Sequence, residues 1–222
     1  MPKHELPPAD LDATAQILIA EHQRLSDLYL YNTDMGERRT SMYISVISLG
    51  AAGLIGLAQL VDSTILYWPA TVLLVGMLVL GLLTFHRLIE RRMRGVENLR
   101  AINRIHRYFV EKQPEVAQYF YWAPCDDLPS FRGKGGAFAG LRDIVALLNS
   151  LFGGFLGGEI LAAIWQGLPL WASLLLGGAL TLALWVLHQR YEDSQLKRAE
   201  ERALARDVHF PRAAFENKAK RE

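Results

Sequence analysis

Charge is missing from most of the middle of this chain. Residues 40–61 and 63–86 contain no Asp, Glu, Lys or Arg, and between Ile144 and Gln189 the only charged residue is Glu159. A helix rises about 1.5 Å per residue and a bilayer core is about 30 Å thick, so about 20 apolar residues make one crossing. Four crossings are expected: Ser41–Val61, Pro69–Phe85, Ile144–Trp165 and Leu168–Leu187. An apolar content of 51% would not separate a soluble core from membrane spans; the clustering does. The expected fold is an all-α integral membrane protein, with four transmembrane helices as two hairpins and a cytoplasmic helical bundle.

The distribution of positive charge sets the expected orientation. All 24 Lys and Arg lie in the N-terminal arm, the central segment or the C-terminal tail, and the connections VDSTILYW and WQGLPLW have none. By the positive-inside bias both termini and the central segment are cytoplasmic, in a cell inner (plasma) membrane. The start MPKHELPPAD has neither an apolar core nor a small-residue cleavage site, so the first crossing is expected to stay as an anchor. A single cysteine, Cys125, excludes an intrachain disulfide and falls on the reducing side. The chain divides into a cytoplasmic N-terminal helix (1–40), a first hairpin (41–87), a basic helix with an aromatic and Gly-rich linker (88–141), a second hairpin (142–188) and a charged C-terminal helix and tail (189–222).

Pro7-Pro8 and Asp10 read as a stop and a helix cap. Leu11, Ala15, Leu18, His22, Leu25 and Tyr29 then recur at alternating spacings of four and three, a stripe suited to packing on another helix. His22 reads as a packed histidine. The arm is acidic and the central segment basic, which makes them natural neighbours. Asp34-Met-Gly-Glu37 has capping-box spacing and predicts a bend before the first crossing. Within that crossing Ser41, Ser45, Ser48, Ala52, Gly56 and Gln59 form a small or polar line. In lipid, close contact between small residues drives helix association, so Ser45, Ala52 and Gly56 are candidate packing positions. Tyr67 and Trp68 mark an outer interface and Pro69 is expected to open the second crossing. That helix should continue into the basic segment, where Leu88, Met93, Val96, Leu99, Ile102, Ile105 and Phe109 extend an apolar stripe. Arg87, Arg91, Arg92 and Arg94 are placed to meet anionic lipid headgroups, each worth about 1 kcal/mol. Membrane-proximal arginines are the ordinary topology signal, and no nucleic-acid partner is expected.

Gln113-Pro114 ends that helix. The aromatic run Tyr119–Trp122 suits either a headgroup boundary or the foot of a bundle, and Phe131–Gly136 lacks the strand and GK[ST] register of a phosphate loop. Cys125-Asp126-Asp127 with His106 upstream does not require catalysis. In the third crossing Gly153, Gly154, Gly157 and Gly158 form a flat face for close helix contact. Glu159, just beyond them, has no lysine or arginine in the outer half to pair with. It is the leading ion or pore residue, with Asp62 at the mouth and Asn149 in the inner half as companions. Pro169 opens the fourth crossing, where Ser173, Gly177, Gly178 and Thr181 offer another packing face and Trp185 and His188 mark the inner end.

No catalytic residues, cofactor or metal ligands are expected: HExxH, GxSxG and P-loop patterns are absent, and the six histidines show no paired ligand spacing. The expected function is a non-enzymatic multi-pass membrane protein that self-associates through the glycine face and acts as a small channel or membrane effector. Its cytoplasmic helices would be regulatory, and its partners would be the bilayer, anionic lipids and copies of itself. The alternative is a membrane-anchored scaffold or sensor for a cytoplasmic protein; an oligomeric small-solute transporter comes third.

Overall fold

The computed structural model describes residues 13–120, 124–133, 140–165, 169–206 and 211. Among them the regular structure is entirely helical: α1 (Ala13–Ala58), α2 (Ser63–Lys112), a short 3-10 turn (Pro114–Tyr119), α3 (Leu141–Ile164) and α4 (Leu170–Arg206). Each of the four long helices contains an 18-residue stretch apolar enough to cross a membrane.

Two expectations about helix ends are corrected. The chain does not bend at Asp34; α1 runs through it, because the Asp34 carboxylate accepts from Arg38 one turn later instead of capping (3.1 Å). Thr40 likewise turns its hydroxyl back to the Gly36 carbonyl within the same helix (3.1 Å). Pro69 does not open α2 but lies inside it, since the helix starts at Ser63. Its first turn is closed onto the Asp62 carbonyl by the Ile65 and Leu66 N–H groups. The apolar run of α4 and its charged continuation form one uninterrupted helix to Arg206. The arm's proposed cap at Pro7–Asp10, the stripe's first residue Leu11 and the expected start of the fourth crossing at Leu168 lie outside the described residues.

The chain forms two compact units. One draws on Met1–Asn32, Arg94–Ser130 and Glu201–Glu222, the other on Thr33–Met93 and Phe131–Glu200. In the first, the stripe of the arm meets that of α2: Leu25, Ile102 and Ile105 are buried with Leu18, Leu99 and Phe109 around them. Three α2 side chains then hold the segment after the 3-10 turn. The Arg100 guanidinium donates to the carbonyls of Asp127 and Pro129, the Asn103 amide to those of Cys125 and Leu128, and Arg104 pairs with the fully buried Asp126. Arginines that read as a topology signal thus also satisfy a buried backbone, which lacks a ladder of its own.

In the second unit Tyr43, Phe85, Leu88, Ile89, Val145 and Ala146 are buried together, with Ile47, Leu80, Leu148 and Trp185 packed on them. Beyond this core the apolar stretches are barely covered by protein. Only 6% of the α1 stretch and none of the α4 stretch is buried, against 33% for α2 and α3. Leu49, Leu60, Val72, Leu174 and Leu182 are among the large apolar side chains left exposed.

Candidate functional site

Four polar residues of the apolar helices, Tyr43, Asn149, Ser150 and His188, come together inside the second unit. Tyr43 on α1 donates its hydroxyl to the Asn149 Oδ1 on α3 (2.8 Å), and both residues are essentially inaccessible. Gly81 on α2 makes room for them: a Cβ there would overlap the Tyr43 hydroxyl and stand 2.7 Å from the Asn149 Cγ. One residue on, Ser150 bonds back to the Ala146 carbonyl (2.7 Å), and its hydroxyl lies 3.4 Å from the His188 Nδ1 on α4. That nitrogen is 2.8 Å from the Leu184 carbonyl. A carbonyl only accepts, so Nδ1 carries the proton in this contact, while Nε2 is buried with no hydrogen-bond partner among the described residues. The edge of Phe85 closes against the imidazole, ring centroids 5.0 Å apart.

A charged cluster lies at the same end. The carboxylate of Glu192 on α4 receives Arg142 from α3 and Arg92 from α2 (3.4 Å), and Gln189 donates to Asp143 (3.2 Å). Glu192 and Asp143 are both buried. Burial, with the charge of Arg92 beside it, pulls Arg142 down to about 10, so it remains a cation at neutral pH. Burial likewise lowers Arg92, with Asp143 opposing. Two cations against two carboxylates leave the cluster neutral, the condition under which burying charge is tolerated.

The residues singled out from the sequence fall in three places. Gly153, Gly154, Gly157 and Gly158 all face α4 of the same chain. A Cβ on Gly154 would meet the Gly177 carbonyl at 2.6 Å, and one on Gly158 the Gly177 Cα at 3.4 Å. This face is occupied by α4 of the same chain. The line on α1 is the reverse case: Ser45, Ala52 and Gly56 are exposed, and nothing lies within 4 Å of where a Gly56 Cβ would be. Glu159 is exposed on the outer side of α3, with no hydrogen bond or ion pair among the described residues. Asn149 is on the buried side of the same helix, ten residues or about 15 Å away along the axis. The two do not meet, and Asp62 sits exposed in the α1–α2 turn.

Of the arginines expected at headgroups, Arg94 is exposed, Arg91 is partly covered and Arg87 pairs with Glu90 (3.2 Å) on an open surface. Arg92 turns inward instead, to Glu192 and the Gly133 carbonyl. His106 faces His22 and stacks on Phe120. In the aromatic run, Tyr119 is exposed, while Tyr121 and Trp122 lie outside the described residues, as do Lys134–Gly136 of the glycine-rich loop. Phe131 is fully buried and its N–H donates to Glu200 (2.7 Å).

Sequence reading missed the pairing of Tyr43 with Asn149, the need for Gly81 and the convergence on Glu192. The one available signal was a polar pair, Asn149-Ser150, inside an apolar run. Comparison of the chain with protein-family models, with curated proteins and with solved structures finds no match to any of them.

Proposed function

We propose that this chain is a four-span, non-enzymatic membrane protein that self-associates in the bilayer and acts as a small ion-conducting or membrane-perturbing effector. The reading rests above all on Glu159. It is exposed beside Phe155, Ile160 and Ile164, about 8 Å short of the end of α3, in a half of the molecule without Lys or Arg. A carboxylate facing hydrocarbon alone is costly. Gathering several copies around a hydrated axis removes that cost and gives a ring of acids that attracts cations. Because α4 already fills the glycine face, contact between copies falls to surfaces left open: the outer side of α3 and the Ser45–Ala52–Gly56 line of α1. The clustering of basic residues supports a cytoplasmic position for both termini, with Arg87, Arg91 and Arg94 toward anionic headgroups of an inner membrane.

Reconstitution in liposomes with a cation-flux readout tests this directly. Wild-type protein is expected to leak cations and Glu159→Gln to lose most of that leak; equal flux from both rejects the ion-conducting reading. Subunit counting in nanodiscs tests self-association independently.

One observation favours a second reading, a membrane-anchored scaffold. Ile17, Leu30 and Tyr31 of the arm are more than half exposed, an apolar surface suited to a protein partner. Deleting residues 1–32 separates the two, since a scaffold would lose its partner and an effector would still permeabilise membranes.

A further inference from the structure

His22 on α1 and His106 on α2 meet through their Nε2 atoms, 3.2 Å apart, with the rings tilted by 33° and centroids separated by 5.2 Å. A hydrogen bond between two imidazoles needs an N–H on one ring and a bare lone pair on the other. The contact therefore exists only while the pair lacks one proton. A further proton removes the acceptor and sets two cations against each other. Among the described residues no carboxylate pairs with either ring to absorb that charge. Phe120 covers one face of His106, stacked at 4.4 Å. Glu21 on α1 is engaged with Arg24 and Glu111 on α2 with Arg107, while Asp126, in the segment after the 3-10 turn, pairs with Arg104. Glu115 of the 3-10 turn, Asp127 of the following segment, and Glu201 and Arg202 of α4 pair with neither ring.

We propose that this histidine pair is an acid-sensitive latch, which holds the arm of α1 (residues 13–32) on α2 at neutral pH and releases it when the second ring is protonated. Release would uncover the small core of Leu25, Ile102 and Ile105 that the arm covers. Burial, and the positive field of His22, hold His106 below the usual imidazole value. The sign follows: the released arm takes up a proton that the docked arm refuses. Docking is thus complete above about pH 6.5 and weakens as pH falls below it, the opening constant rising about tenfold per pH unit for each extra proton. The proposal stands whether or not Glu159 carries ions, because its readout is the arm alone.

The test is amide hydrogen exchange of the full chain in lipid nanodiscs at about pH 7.5 and about pH 5.5, one unit either side of the ordinary imidazole value and corrected for intrinsic rates. Peptides of the arm are expected to lose about tenfold in protection on acidification, with peptides of α3 unchanged. His106→Phe, which keeps an aromatic against Phe120 but takes no proton, is expected to abolish the pH response. Should that variant undock at neutral pH, His22→Asn supplies the same comparison with a hydrogen-bonding side chain. Equal protection of wild type at both pH values, or a variant that opens with acid as wild type does, overturns the latch.

Discussion

A missing methyl group decides how three helices meet. Gly81→Ala would force its Cβ into the space of the Tyr43 hydroxyl and the Asn149 amide, and is expected to lower stability by about 1–3 kcal/mol, read as a drop in thermal midpoint in detergent. Tyr43→Phe keeps the ring and removes the donor to Asn149, leaving a buried acceptor unpaired; the expected loss is about 1–2 kcal/mol. If Tyr43→Phe is as stable as wild type, the contact contributes nothing to the fold. None of these three residues stood out from its neighbours in sequence except Asn149. Its partner is 106 positions away, and local spacing carries no information about a contact of that separation. The same applies to Glu192, read only as one more charge in a charged tail.

At the level of helices the sequence was far more informative, because length and charge-free runs report directly on the period and extent of an apolar helix. The four long elements and the passage of α2 into its basic half were legible. The ends were not. A capping pattern at Asp34 lost to continuous helix on both sides, and Pro69 was accommodated near the start of a longer helix. The glycines of α3 announced close contact but not whose backbone would approach, and that partner proved to be α4. Gly154→Leu is therefore expected to push α3 from α4 and lower stability without raising the subunit number, seen by thermal scan and native mass spectrometry. Glu192→Ala removes the carboxylate shared by Arg92 and Arg142 and strands two partly buried cations, at an expected cost of about 3 kcal/mol.

Across the whole molecule, the open surface is the feature that asks for a partner. If copies associate along α1, replacing Ser48 and Ala52 together by Leu should shift nanodisc counts toward monomer while leaving the thermal midpoint of the single chain within about 0.5 kcal/mol of wild type, as for surface changes generally. An unchanged count would move the association surface elsewhere, to the outer side of α3 where Glu159 lies.

The helix α4 passes from its contact with Gly154, at Gly177, to the buried Glu192 and on to Arg206 without a break. A rod of this kind resists bending but conveys rotation: turning its charged end by one residue step, about 100°, would swing Gly177 away from α3 and carry Glu192 off its two arginines together. A turn of α4 between Gln189 and Glu200 would therefore be felt at its glycine contact with α3.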